Sequence, residues 1–318
     1  MARNIYANIT ARGTKGVFME KLETVPQIWE KFAQTIPSDA PDEEHVWMGN
    51  VPNPREFISQ RSLVGIRDFT YNVANKEYEL SFIIDQNSLE DDRHGLINRR
   101  ISEAAQVWAA FKDVLFAALM NDGQTSGNNS YDGVTFFNDS HVIGSSTSPP
   151  ESTTDVDNLL ASSSPSDPSF PTVAEMKVLV SELFAWIQGV TDDTNRPGYN
   201  WGAMSSIAIM GNPTYQQALT EVLAAQLLGG GDSNVFFQNL ATPVINPYLG
   251  GSNDYLYVAA LGDAARMPII HQERTALQIN ILNSPDDIAQ NHGLLVLVRQ
   301  RFRLTYGEPR RMAVILIT

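Results

Sequence analysis

Apolar residues along the chain change their spacing several times, and each change marks an element. Between Phe57 and Ile84 they alternate: Phe69, Tyr71 and Val73, then Asn75-Lys76 as a turn, then Tyr78, Leu80 and Phe82. A period of two is that of a strand with one buried face, so a long two-stranded hairpin is expected here. Neither strand carries a second apolar face, and an isolated hairpin is marginal in water, so it needs a partner surface from elsewhere. From about Gly95 to Asn121 the period becomes three and four, with Ile97, Ile101, Ala104, Trp108, Phe111, Leu115 and Ala118 on one stripe of a helix. Such a helix is roughly 39 Å long. Asp91 and Asp92 precede it, where carboxylates suit the positive end of the helix dipole, and Gly123 lies just past its end.

Elsewhere the pattern is less regular. Residues 1 to 50 hold short apolar clusters (Val17, Phe18, Met19; Ile28, Trp29, Phe32) without a sustained period, which reads as an extended arm that packs on something else. Residues 122 to 171 are rich in Ser, Thr, Asn, Gly and Pro and read as a long surface loop. A helix from Thr172 to about Gln188, a strand from Ser206 to Met210 and a helix from Tyr215 to Leu228 follow, closed by Gly229-Gly230-Gly231. Short strands are expected at Pro243 to Ile245 and Tyr255 to Ala259, and two strong ones at Gly293 to Leu304 and Met312 to Ile317. The fold class is α+β, in two lobes: a body holding the long helix and the C-terminal strands, and an αβ lobe from about 172 to 266. No internal repeat is evident.

Composition narrows the function. The 318 residues are 43% hydrophobic with 21 Gly and 17 Pro, which is a globular balance. A net charge of −14 argues against tight binding to a phosphate backbone, which depends on clustered Lys and Arg. The absence of cysteine excludes disulfides, thiolate metal sites and cysteine nucleophiles. No signal-peptide core stands at Met1 to Gly16, and the longest apolar run, Met312 to Ile317, is far short of the roughly 20 residues that span a bilayer, so a soluble protein without membrane contact is expected.

Candidate chemistry is sparse. Asp85, Glu90, Asp91 and Asp92 could hold a hard cation but lack calcium-loop spacing, and helix capping accounts for them. Asp193, Asn195 and Gly198 imitate part of such a loop, with Pro197 at a ligand position, and read as a turn. His141 adjoins Asp139 and Ser140, yet no Gly-x-Ser-x-Gly elbow and no His-Glu-x-x-His occurs, so a loop-fixing role is favoured. Arg299, Arg301 and Arg303 alternate on one strand face, which is either solvated or met by acidic partners. No enzyme site, metal or cofactor is expected.

Three blocks resemble the major head subunit family of phage Mu and its prophage relatives. They are Trp47-Met48-Gly49 with Pro52, Arg55-Glu56-Phe57-Ile58 and Arg61; Asp85, Leu89-Glu90-Asp91-Asp92 and Gly95; and Tyr131-Asp132-Gly133 with Phe136-Phe137 and Asp139-Ser140-His141. From about 143 onward the match is to the tailed-phage capsid fold of the Hong Kong 97 coat type in general.

The resemblance implies an N-terminal arm (1–50), an E-loop hairpin (51–85), a P-domain with the spine helix 95–121 and its following loop (86–171), an A-domain (172–266) and returning P-domain strands (267–318). It implies a shell of pentamers and hexamers around packaged double-stranded DNA, a virion location after assembly in the host cytoplasm, and scaffolding and portal partners, with room for a decoration protein. Arg299, Arg301 and Arg303, with Glu77 and Glu79 as complementary acids and Lys76 at the hairpin tip, are the candidate inter-subunit contacts. Lys76 is not expected to form covalent cross-links, because no acid-lysine-asparagine set is recognised. An encapsulin-type nanocompartment and a soluble hydrolase are the rival readings.

Overall fold

The computed structural model describes residues 11–48, 68–85, 87, 96–143, 154–163, 165–191, 197–226, 233–250, 254–282 and 284–318. In chain order the elements are α1 (Ala11–Thr24), β1 (Ala33–Pro37), β2 (Asp42–Met48), β3 (Asp68–Ala74), β4 (Lys76–Asp85), α2 (Leu96–Asp122), β5 (His141–Ile143), β6 (Thr154–Val156), β7 (Leu159–Ser163) and α3 (Val173–Gly189). Then follow β8 (Ile207–Gly211), α4 (Gln216–Ala224), β9 (Thr242–Ile245), β10 (Tyr255–Ala260), β11 (Ile269–Leu282), α5 (Pro285–Asn291), β12 (Gly293–Tyr306) and β13 (Met312–Ile317). One sheet runs β1-β11-β12-β4 and a second β7-β13-β10-β8-β9, with β2-β3 and β5-β6 as separate pairs.

The spine helix α2 forms where the period predicts it, but its buried face drifts along the rod. Its first half buries Ile97, Ile101, Ala105 and Trp108 with Phe18 of α1 and Val296 and Val298 of β12. Its second half buries Phe116, Ala117 and Met120 against Phe32, Phe136, Phe137 and Met312, while Ala118, assigned to the stripe from spacing, is exposed. A rod of this length outlasts one sheet and must serve two cores in succession. The strands β8, β10 and β13 are buried on both faces, under α3 and α4 on one side and the end of α2 on the other. Their near-continuous apolar runs follow from that double cover. Helix α3 starts at the expected cap: Thr172 Oγ1 accepts from Glu175 N, and the Glu175 side chain accepts from Thr172 N.

Four expectations are corrected. The hairpin of 69–73 and 78–82 does not exist. Both strands form, but β3 pairs with β2 and β4 pairs with β12. Alternation reports which face of a strand is buried, not which strand lies beside it. At Asn75 the chain crosses from one pairing to the other, pinned by its N–H to Pro41 O (3.0 Å) and by Nδ2 to Ser38 Oγ (2.9 Å) and Ala40 O (3.0 Å). The real ribbon is β2-β3, running from Asp42 opposite Ala74 to Met48 opposite Asp68.

The N-terminal segment is not an extended arm over its described length. Residues 11–24 are helical and pack on the chain's own spine helix, and β1 pairs parallel with β11. The stretch 122–171 is not all loop, since β7 joins the five-stranded sheet beside β13. Nor does the last strand return to the body, because β13 lies between β7 and β10 in the sheet of the αβ lobe. The Gly49–Arg61 part of the first resemblance block, the helix entry from Leu89 to Gly95, Asp193 and Asn195, and Gly229 to Gly231 lie outside the described residues.

Candidate functional site

The six candidate contact residues fall on two adjacent strands of one sheet. In the β12-β4 ladder Arg299 stands opposite Glu79, Arg301 opposite Glu77, and Phe302 opposite Lys76. Arg299 Nε and Glu77 Oε1 meet at 2.5 Å within one chain, both about half-exposed. The complementary spacing is real, but the acids and arginines are neighbours by folding, because β4 is the edge strand that covers β12. Arg303 lies beyond the end of β4 and stands opposite Gln272 of β11. Lys76 is exposed at the start of β4 beside the Asn75 crossing, not at a ribbon tip. An exposed pair of this kind contributes about 0–1 kcal/mol. Glu77→Arg is therefore expected to leave the unfolding midpoint nearly unchanged, and a larger drop in thermal melting, restored by adding Arg299→Glu, would show that the pair holds the sheet edge.

Gln272 fixes the base of the ribbon. It is fully buried, its Nε2 donating to Val73 O (3.1 Å) and Asn75 Oδ1 (2.9 Å) and its Oε1 2.7 Å from His45 Nε2. Tyr71 and Thr305 hydroxyls meet at 2.9 Å on the neighbouring register. These contacts orient the two-stranded projection against the four-stranded sheet.

A second polar constellation sits at the corner where β12 leaves one sheet and β13 enters the other. Glu308, Arg310 and Arg311 are all buried there. Arg310 Nε and Nη2 donate to the two oxygens of Glu308 (2.8 and 3.3 Å), and the Tyr131 hydroxyl donates to Glu308 Oε1 (3.3 Å). Arg311 donates to Asn200 Oδ1 and Asp263 Oδ2, each at 2.9 Å, while Asn200 Nδ2 donates back to Arg310 O (3.0 Å). Both guanidinium groups lie over the Tyr199 ring, 4.1 and 4.7 Å from its centroid, which offsets the lack of a partner at Arg310 Nη1 and Arg311 Nε among the described residues. Burial alone would raise the Glu308 carboxyl, but the Arg310 guanidinium outweighs it and holds the group below the usual range. Burial pushes the Tyr131 and Tyr199 hydroxyls up, so both stay protonated, Tyr131 donating to Glu308 and Tyr199 accepting from Arg266. This lattice joins the two sheets and the loop after α2 at one point. The sequence shows only the gap between the strands expected at Gly293 to Leu304 and Met312 to Ile317, because a buried ion pair two residues apart resembles any surface Glu-x-Arg.

His141 is a loop fastener, as its isolation in the sequence suggests. It is fully buried, with Nδ1 2.5 Å from Asp132 Oδ2 and Nε2 3.1 Å from Phe136 O. Its acidic partner is Asp132, nine residues back, and not the adjacent Asp139. Among the described residues no three His, Asp or Glu side chains are grouped to hold a metal ion, and no helix is long and apolar enough to cross a membrane.

Among the described residues several large apolar side chains are exposed: Val235 is 82% and Phe236 74% exposed, and Phe170 and Trp201 are exposed as well.

Comparison with known proteins gives this arrangement a context. The major capsid protein of Escherichia phage Mu is 29% identical over 126 residues, 40% of this chain and 41% of that protein, so the chain spans about two fifths of that relative's length. Among solved structures, the procapsid of bacteriophage JBD30 superposes with a TM-score of 0.58 at 19% identity, covering 100% of this chain and 76% of the other. The capsid of the cyanophage P-SCSP1u gives 0.63 at 9% identity, covering 92% and 88%. The fold is therefore that of tailed-phage capsid proteins of the Hong Kong 97 type. The sequence profile of the Mu-like prophage major head subunit gpT matches residues 8–178, through the ribbon and the spine helix to the start of α3. With more than half its length matched by that profile, the chain belongs to the Mu-like prophage major head subunit gpT family.

Proposed function

We propose that this chain is a major capsid subunit that assembles into pentameric and hexameric rings closing an icosahedral shell around double-stranded DNA. The observation that carries this reading is the family match across the ribbon and spine helix, together with a capsid fold shared over nearly the whole chain. The physical features fit the role. The β2-β3 ribbon, the edge strand β4 and the exposed apolar side chains Val235 and Phe236 are features that second copies can cover. A net charge of −14 suits a container that must not grip its DNA. The subunit acts without catalysis, with a scaffolding protein during assembly in the host cytoplasm and a portal protein in the finished head.

Co-expression with the scaffolding protein, followed by negative-stain microscopy, tests the reading. Closed shells are expected, and a strictly monomeric species at high concentration would overturn it. Shells loaded with a cargo protein in place of DNA would instead indicate a nanocompartment. The double substitution Val235→Ser with Phe236→Ser is expected to leave the melting temperature of the unassembled subunit within a degree or two, since exposed sites cost about 0.5 kcal/mol or less. Shell yield should fall severalfold, and an unchanged yield would remove these residues from the interface.

A further inference from the structure

Between α1, the middle of α2 and the β11-β12 pair lies a partly enclosed cavity of about 410 Å³. That is within the range of ~300–1,000 Å³ typical of small-ligand clefts. Its charged lining is unbalanced: Glu23, Glu30 and Glu273 face one cation, Lys112. Lys112 Nζ lies 4.9 Å from the Trp29 ring centroid and 5.0 Å from that of Phe302, and its charge is shared between Glu273 and Glu30, which leaves three carboxylates to one cation. Gln300 also lines the cavity, is 97% buried, and donates from Nε2 to Glu273 Oε1 at 2.7 Å. Its Oε1 has no hydrogen-bond partner among the described residues. A buried acceptor left unpaired costs about 1–3 kcal/mol in general, so its presence beside an excess of carboxylates points to a donor that comes from outside.

The shape of the lining selects the class of donor. Gln300 is buried and Glu273 partly buried on the sheet, whereas Glu23 and Glu30 are exposed. Among the described residues no three acidic groups are brought together as a metal ion requires. Met19, Leu22, Trp108 and Leu277 add apolar surface to the lining. An elongated ligand with a cationic head and a methylene stem matches all three features, as lysine side chains do when the stem is buried and the head is paired.

We propose that this cavity binds a linear aliphatic ammonium group, its head at Glu273 and Gln300 Oε1 and its stem along the apolar walls. The group can come from a free diamine or from a lysine side chain of a partner protein. Binding here does not depend on shell formation, so failure of either reading leaves the other standing.

Isothermal titration of the unassembled 318-residue chain at low ionic strength, with 1,5-diaminopentane and with Nα-acetyl-lysine N-methylamide, tests the site. Saturable one-to-one binding of at least one amine is expected, with none of 1-pentanol. The tighter of the two amines identifies the source. Glu273→Gln should weaken binding roughly tenfold, as loss of one charge-assisted hydrogen bond does. Should that variant misfold by circular dichroism, Glu23→Gln with Glu30→Gln, both exposed, provides the same test with a severalfold loss. Lys112→Met, which removes the competing cation while keeping an unbranched stem, should tighten binding. Absence of saturable amine binding, or affinities unmoved by all of these substitutions, would overturn the proposal.

Discussion

Replacing Glu308 by alanine is expected to cost the unassembled subunit about 3–5 kcal/mol, because it leaves the buried Arg310 guanidinium without its carboxylate. The loss is larger than for a surface pair because neither charge can turn to water, and the Tyr131 hydroxyl loses its acceptor as well. Urea unfolding followed by tryptophan fluorescence measures it, and an unchanged midpoint would mean that the corner is held by packing alone. The double variant Glu308→Leu with Arg310→Met should recover much of the loss, since removing both charges removes the uncompensated one.

The same group gives a pH dependence of defined sign. Its folded carboxyl titrates below the ordinary range, so its contribution is complete above the unfolded value and disappears as pH falls through the folded one. Wild-type stability should therefore decline on acidification below about pH 4.5, and Glu308→Leu with Arg310→Met should decline less steeply.

Phe302→Ala is expected to be comparably severe, at about 3–5 kcal/mol. Phe302 is fully buried, with its ring 4.7 Å from that of Tyr78 and 5.4 Å from that of His271, and it lies beneath Lys112 of the spine helix. Truncation opens a void where β4, β11, β12 and α2 converge, and stiff strands on three sides restrict collapse into it. The change should also release His271, whose ring burial holds its proton affinity down at about 3, followed in effect by the positive charge of Lys112. A denaturation midpoint close to wild type would show that the helix docks on the sheet without this ring. Phe236, which is exposed, provides the contrast: its truncation is expected to leave folding nearly unchanged.

Local periodicity determined the elements whose burial is one-sided and regular. The spine helix, α3 with its Thr172-Glu175 cap, and the alternating strands β3, β4 and β12 all stand where side-chain spacing places them. β11 was missed because its apolar alternation is interrupted by the buried Gln272 and by register shifts between Glu273 and Gln278. The N-terminal helix was missed because α1 buries little beyond Phe18 and Thr14, too few positions to set a period.

Partnership was beyond the sequence. The alternation of Glu77 and Glu79 against Arg299 and Arg301 announced that the two strands are complementary, and tertiary structure alone decided that they lie side by side in one chain. The buried corner of Glu308, Arg310 and Arg311 was equally hidden, because charge in a sequence carries no sign of depth. Spacing along the chain decides which face of each segment avoids water, since that depends on neighbours two residues apart in a strand and three or four apart in a helix. Which segments then cover those faces, and which charges are thereby taken out of water, depends on contacts between residues as far apart as Ile28 and Asp113 or Asn200 and Arg311, and only the folded chain decides them.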